Sequence, residues 1–312
     1  MSEMLTETER LLQEKADLNA RLRLIPYEGT PEIKENKSGR YLYVRKRVAG
    51  KLTSTYVDVY SDELYQILLT GTKEARAIRK EIRRLDKKLA ELGYSHDELK
   101  PEVIRNLDYA RANIKNTIYS QAVLEGIGTT FPQTEDIIEN GVINGVSSDD
   151  VQKILNLKHA WEFVLDEDVL KSESDYYLLS YIAGLVNEGF YTNGGRIRGV
   201  PVTIGGSSYI PPLPIESVVR ESIDRILMSG KDSIDIAIEL CMYCMRTQVF
   251  IDGNKRTAVI HANHYLISRG MGIMYIPEKA VHDFKKLLVD YYEGEDISVI
   301  SDFLKKKCWQ RI

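Results

Sequence analysis

Cysteine is scarce: three in 312 residues, too few for a disulfide framework, which points to a reducing compartment. No window reaches the roughly 18 consecutive apolar residues that a membrane-spanning helix needs, so no membrane partner is expected. The first residues, MSEMLTETERLLQEKADL, are charged throughout and lack the apolar stretch of a secretory signal. A cytoplasmic location is the expectation. Internal repeats and low-complexity tracts are missing too. What is there is ordinary globular composition, 43% hydrophobic and 28% charged, which excludes a disordered chain. The length is about twice the usual domain size of roughly 100–200 residues, so one large or two modest domains are expected. A net charge of −4 selects no partner by itself.

The charge is unevenly spread. Residues 1–100 carry 20 basic and 17 acidic side chains, whereas the remaining 212 carry 22 and 29. Lys34 to Lys51 holds seven basic residues against one acidic, and Lys73 to Lys88 holds eight against three. That asymmetry suggests an N-terminal module with its own partner. Met4, Leu11, Leu18 and Ile25 recur every seven residues, and Ala75, Ile78, Ile82, Leu85, Leu89 and Leu92 alternate spacings of three and four. Both patterns are helical seams. Between them, Arg40–Val48 and Leu52–Val59 are rich in Tyr, Val and Thr, joined by Ala49-Gly50-Lys51, and read as a β-hairpin. The expectation for residues 1–97 is a helix–β-hairpin–helix arm with its helices paired antiparallel. Arg45 and Arg47 share one strand face with Tyr41 and Tyr43, a cation-plus-aromatic surface suited to weak nucleic-acid binding. The opposing reading packs these tyrosines, with Tyr56, on the helices of an arm that docks or dimerises.

From Pro101 the pattern is helical. The expected helices are Pro101–Leu124, Ser148–Leu165, Asp175–Glu188, Ile215–Met228, Ser233–Thr247, Arg256–Ser268, Pro277–Tyr291 and Ser298–Trp309. Pro101 suits a first turn, and Ser147-Ser148-Asp149-Asp150 suits a helix start. One extended interruption, Arg198–Pro214, holds Val-Pro-Val-Thr-Ile, a Gly-Gly break and a proline cluster. It reads as a short hairpin flap.

The stretch most suited to chemistry is Gln248-Val-Phe-Ile-Asp-Gly-Asn-Lys-Arg-Thr-Ala258. It separates two apolar helices, so Asp252-Gly253-Asn254-Lys255 is a tight loop opening onto a helix N-terminus. Free backbone N–H groups there, with Asn254, Lys255 and Arg256, suit an anion. Asp252 beside them suits a magnesium ion shared with phosphates.

This segment resembles the central motif of the Fic/Doc (Fido-fold) family, His-x-Phe-x-(Asp/Glu)-(Gly/Ala)-Asn-(Gly/Lys)-Arg, matching at Phe250, Asp252, Gly253, Asn254, Lys255 and Arg256. Arg198, Val202, Ile204, Gly205 and Gly206, followed by Pro211-Pro212, are similar to the family's target-docking flap. Glu125-Gly126, ending the first helix, resembles the inhibitory Glu of autoinhibited members. The resemblance covers about residues 101–312, in the family's order. It implies transfer of AMP, or of a phosphate in the Doc branch, from a nucleotide to a protein hydroxyl. On that likeness Asp252 binds Mg²⁺, Gly253, Asn254 and Lys255 with the loop amides hold phosphate, and Arg256 neutralises the β/γ-phosphates. Phe250 packs in the core.

Three positions depart from the pattern. The family's catalytic His falls on Gln248, and a carboxamide cannot take the attacking hydroxyl's proton. Losing general-base help costs roughly 10²–10⁴ in rate. Val259 stands where AMP-transferring members carry a second Arg, which removes the expected partner of Glu125 and leaves it to cap the loop or reach Arg256. Gln121 stands where the inhibitory motif has Ser or Thr. Lys255 and Val259 look like the Doc branch, the flap and length like Fic proteins.

Rival signals are weaker. Cys241-x2-Cys244 and His261-x2-His264 lie sixteen residues apart, off the zinc-finger spacing, and helical packing accounts for them. His261 or His264 is a candidate replacement base, with core packing as the competing role. His96, His159 and His282 have no partner pattern, and Ser207-Ser208 resembles no nucleophile elbow.

The expected architecture is mainly α: a Fido-fold helical domain with a short β-hairpin flap over 98–312, preceded by the arm. The function implied by the resemblance is binding of ATP or a related nucleotide with Mg²⁺ at Asp252–Arg256. Protein adenylyltransferase or Doc-type phosphotransferase chemistry would be weakened or altered by Gln248. The alternative is a non-enzymatic binding or regulatory protein whose basic arm contacts nucleic acid or a partner protein. A target protein, not named by the sequence, and a second copy of the chain complete the expected partners.

Overall fold

The computed structural model describes residues 6–312 apart from 49, 96 and 142–144. Met4, Ala49 and His96 thus lie outside the described residues. The chain divides into two compact units, one holding the residues up to 96 with 139–141, the other holding the rest.

In the first unit, α1 (Glu7–Leu24) begins with a capping box. The Thr6 hydroxyl accepts from Glu9 N, and the Glu9 carboxylate accepts from Thr6 N at 2.7 Å. α2 (Asp62–Glu91) starts at Ser61, whose hydroxyl accepts from Leu64 N. Leu11 packs with Leu85 and Leu89, and Lys15 pairs with Asp86 at 2.8 Å. Ile25 lies against Gly71. Partners descend along α2 as α1 rises, so the helices are antiparallel. The seam is buried at Ala75, Ile78, Leu85 and Leu89 but ends before Leu92, which is 48% exposed.

Between the helices, β1 (Thr30–Asn36), β2 (Gly39–Val48) and β3 (Lys51–Val59) form an antiparallel sheet in that order. The expected hairpin is β2–β3, and β1 is an additional strand. Pro31 and three charged residues obscure it in the sequence, yet an edge strand accommodates both. Leu42 and Val44 point inward onto Leu68. By alternation Tyr41 and Tyr43 take the opposite face.

In the second unit the expected helix 101–124 is two, α3 (Pro101–Ala112) and α4 (Ile114–Glu125). Asn113 makes the break, its side chain donating back to Tyr109 O at 2.9 Å, a local bond that competes with helix continuation. Then come α5 (Phe131–Asn140), α6 (Ser148–Val164), α7 (Glu167–Leu170), α8 (Tyr176–Val186), α9 (Glu216–Leu227), α10 (Ser233–Thr247) and α11 (Asn254–Ile267). A 3₁₀ turn, Glu278–Ala280, leads into α12 (Val281–Tyr292), and α13 (Ile297–Lys307) follows. Two short strands, β4 (Ile273–Met274) and β5 (Trp309–Gln310), pair antiparallel. α5 and α7 were not anticipated.

Every residue of α11 except Lys255 is buried. A helix buried all round is a central one, and α11 is the axis around which the unit is built. Its interior polar groups are used: Asn263 donates to Val259 O and Met274 O and accepts from Met274 N, fixing β4.

The flap differs from expectation. Residues 198–214 carry no strand ladder among the described residues. Pro201, Pro211, Pro212 and Pro214 lack the N–H groups a hairpin would use. A turn closed by Ser207 N to Ile204 O, 3.2 Å, bends the chain at Gly205-Gly206.

Candidate functional site

α10 ends at Gln248, which adopts left-handed backbone angles, φ 48° and ψ 61°. The chain then runs through Val249, Phe250 and Ile251 to Gly253, also left-handed at φ 71°, where α11 begins. A Cβ at Gly253 would lie 2.8 Å from Val186 Cγ1 and 3.0 Å from Asn187 Oδ1. Only glycine allows this approach. Having no side chain, Gly253 leaves the first-turn amides of α11 uncapped, the arrangement that attracts an anion.

Asn254 is the loop's internal fastener. Its Oδ1 accepts from Phe250 N at 2.9 Å, and its Nδ2 donates to Phe250 O at 2.8 Å and to Gln248 Oε1 at 3.1 Å. Its donors are therefore committed inside the loop. Phe250 is fully buried, as its apolar character implies. Gln248 is engaged at both ends of its carboxamide, since Nε2 also donates to Met245 O at 2.6 Å.

Arg256 is 3% exposed and sits beneath the loop. Its Nη2 meets Asp252 Oδ2 at 3.0 Å, while its Nε is buried with no hydrogen-bond partner. Asp252 is half-exposed, and Asn187 Nδ2 holds its carbonyl at 3.0 Å. Glu125, at the end of α4, reaches Lys255 at 3.7 Å rather than Arg256, with its Oε1 buried and unpartnered. Val259 is core. Gln121 is a buried bridge: it donates to Arg256 O at 3.2 Å and accepts from Trp161 Nε1 at 2.7 Å.

Above this loop is a pocket of about 850 Å³ lined by Glu125, Gln248, Asp252, Gly253, Asn254 and Lys255 on one side. Val202, Ile204 and Gly205 of the flap form another wall, and Lys285 and Tyr292 of α12 a third. Gly206 lies outside the lining, turned toward Val289. Arg256 does not line the pocket either and acts on it through Asp252. Burial raises the Tyr292 hydroxyl well above its ordinary range, with Cys241 adding to it, so this phenol stays protonated at neutral pH.

The flap hangs on Arg198. Its guanidinium, buried with its pKa lowered by desolvation, donates to Gln248 O at 2.6 Å, Pro212 O at 2.7 Å and Val200 O at 2.8 Å. Lys285 and this anchoring role of Arg198 escaped sequence reading. Lys285 could have been flagged only by knowing which face of α12 turns inward.

The histidine candidates for a replacement base fall elsewhere. His261 is buried at Asp175 O, 3.2 Å, and burial, aided by His264, lowers its pKa to about 3. His264 lies 2.8 Å from Ser174 Oγ and 2.9 Å from Val169 O, and burial lowers its pKa to about 4. Neither lines the pocket. Cys241 and Cys244 are buried thiols raised by desolvation, Cys244 to about 12. Among the described residues no three His, Cys, Asp or Glu side chains gather as a metal site. Asp252 alone, beside uncapped amides, fits a magnesium ion, which keeps several waters and uses one or two carboxylates plus phosphates.

Comparison with known proteins fits this geometry. The profile of the Fic/DOC family matches residues 174–266, a span that holds α8, the flap, α10, the loop and α11. The chain carries a Fic/DOC family domain. Solved structures share the fold. A fragment of Fic-1 from C. elegans superposes with a TM-score of 0.53 at 18% identity, covering 76% of each chain. A Fic domain containing signaling protein from Bacteroides thetaiotaomicron gives 0.53 at 17%, covering 72% of this chain and 90% of that one. A Fic family protein from Desulfovibrio desulfuricans gives 0.53 at 15%, covering 68% and 73%. No curated protein matches. A domain of unknown function, DUF6788, matches residues 1–66, within the arm and ahead of the Fic domain. Among the described residues no helix is long and apolar enough to cross a membrane.

Proposed function

We propose that the Fic domain binds ATP or a related nucleotide in the pocket above α11, as AMP-transferring relatives of this family do, and transfers poorly from it. The observation that carries this reading is the uncapped start of α11 at Gly253, opening into a pocket that also presents Asp252 and Lys255. Phosphates would take the amides of the first turn and Lys255. Asp252, held in place by Arg256, would hold a magnesium ion, whose charge offsets that of the phosphates. Arg256 positions rather than touches, because it is buried and paired. Glu125 occupies Lys255 at 3.7 Å, so nucleotide binding competes with that ion pair. Val202, Ile204 and Gly205 would align an extended segment of the target, whose hydroxyl attacks.

The weak step is proton removal. A carboxamide does not accept a proton at neutral pH, and both ends of the Gln248 side chain are already hydrogen-bonded within the loop. Positioning and electrostatic stabilisation remain, and they carry much of phosphoryl-type catalysis. The second reading, a binding protein that transfers nothing, rests on that same Gln248. Incubation with α- and γ-labelled ATP and a cell lysate separates the two. AMP transfer that is barely detectable, and that Gln248→His raises by roughly 10²-fold or more, supports the enzyme. Nucleotide binding by calorimetry without transfer from either form supports the binding protein. No binding at millimolar nucleotide refutes both.

A further inference from the structure

The outer face of the arm's sheet carries an aromatic cluster that covers no core. The register sets Tyr43 opposite Tyr56 and Glu32, Tyr41 opposite Lys34, and Arg45 opposite Ser54. Tyr56 meets Tyr43 edge-on at 5.5 Å and Tyr41 at 6.3 Å between ring centres. The Lys34 ammonium stands 4.1 Å from the centre of the Tyr43 ring. Tyr56 is 49% exposed. These rings therefore face away from the helices, which meet Leu42 and Val44 on the other side of β2.

At the end of the same strand lies a cavity of about 400 Å³. Its lining includes Arg45, Lys46 and Arg47 of β2 together with Arg76 and Arg79 of α2. The one carboxylate on its wall, Glu28, is already paired with Arg79. Arg45, Lys46, Arg47 and Arg76 make no ion pair and no side-chain hydrogen bond among the described residues. Of the acids beside the rings, Glu32 is held by Ser54 and Lys34, while Asp58 acts on Tyr56 from the same strand. Four uncompensated cations at one end of the sheet repel each other, and a ligand with several negative charges relieves that repulsion.

We propose that this surface binds single-stranded nucleic acid, with phosphates at the basic end of β2 and bases on the tyrosine cluster. Alternate residues of a strand stand about 6.6–6.8 Å apart, so β2 lays Arg47, Arg45, Tyr43 and Tyr41 in one row. A basic track continuing into exposed rings is the combination that holds single strands: charge for the backbone, π faces for the bases. An acidic protein would satisfy the cations but leave the ring cluster without a role. A free phosphate would need only one or two of the cations. The inference is independent of the nucleotide pocket in the Fic domain.

The test uses the full chain and fluorescein-labelled oligo-dT and oligo-U of about 20 nucleotides, read by anisotropy from about 50 to 200 mM salt. Binding is expected to weaken as salt rises, with a log–log slope of about −3 for four phosphates at roughly 0.7 each. Arg45→Glu with Arg47→Glu should weaken it at least tenfold. Arg45→Ala with Arg47→Ala is the milder pair should the reversal disturb folding, with circular dichroism as the check. Tyr56→Ala should cost about fivefold or more without changing the slope, a split that a purely electrostatic surface would not show. A preference between the two oligomers tells DNA from RNA as the source. The proposal is overturned if anisotropy stays flat at the lowest salt, or if neither arginine pair weakens binding. It is also overturned if duplex outcompetes the single strand, or if polyglutamate of equal charge displaces the oligomer as well as unlabelled oligomer does, since the last result marks an acidic protein partner.

Discussion

Replacing Asn254 by alanine asks how the loop that opens the pocket keeps its shape. The Asn254 carboxamide satisfies both backbone groups of Phe250, the N–H at 2.9 Å and the carbonyl at 2.8 Å, and ties in Gln248 at 3.1 Å. Phe250 is fully buried, so no water replaces these bonds without displacing core. Two orphaned backbone groups at about 1–3 kcal/mol each, less about 0.5 kcal/mol for alanine's better helix propensity, give a loss of roughly 2–5 kcal/mol. In a unit of this size about 2–4 °C accompanies each kcal/mol, so Tm should fall by roughly 4–20 °C. Thermal and urea unfolding of the full chain measure it, and nucleotide affinity should fall with it. Asn254→Asp sharpens the test, because it keeps the acceptor for Phe250 N but sets a carboxylate oxygen against two other oxygens. At neutral pH it should be at least as destabilising as alanine. A loss under about 1 kcal/mol for alanine, or a fully stable Asp variant, would refute the account of the loop as held by this side chain.

Gly253→Ala should destabilise by roughly 2–5 kcal/mol, combining about 1–2 for a left-handed L-residue with about 1–3 for overpacking against Val186 and Asn187; unchanged urea stability would contradict the close approach. Acid should also weaken the fold through His261 and His264. Their pKa values are lowered to about 3 and about 4 by burial, so the unfolded chain binds these protons first. Stability is full above pH about 6.5 and falls as pH drops toward about 4, by up to about 1.4 kcal/mol per pH unit for each histidine. Asp175, raised by burial, opposes this at the acid end. Urea midpoints measured between neutral pH and about pH 5 should decline, and a flat profile would mean that the histidines are not buried neutral.

How much was legible depended on whether the signal was local. The loop was readable because Gly253, Asn254 and the flanking apolar runs are contiguous, and helix starts at Pro101 and Ser148 announce themselves by residue type. β1 was hidden because its charges and Pro31 read as loop unless the neighbouring hairpin is known to supply a partner. The break at Asn113 rests on a single side-chain bond to Tyr109 O, invisible to periodicity. Within the site, sequence position brings Arg256 to the loop but does not say that its side chain turns under it, to Asp252. Gln121 looked like a departure from a motif; in three dimensions it joins Trp161 to the Arg256 carbonyl. Lys285 and Tyr292 come to the pocket from a helix some thirty residues downstream, a long-range closure that no local pattern encodes.

The left-handed bend at Gln248 has a bearing on how this domain changes over generations. Its angles are set from outside the side chain, by Arg198 on its carbonyl and by Cys244 O on its N–H. Histidine, with asparagine and aspartate, is among the non-glycine residues enriched in that region of backbone space. Exchanging glutamine for histidine here leaves the backbone course intact while it installs or removes a titratable group beside the pocket, and one nucleotide separates their codons. On the proposed function, a general base at this position can thus be gained or lost at little folding cost. On that same reading, a lineage carrying such a domain moves between transferase and binding protein without first rebuilding the site.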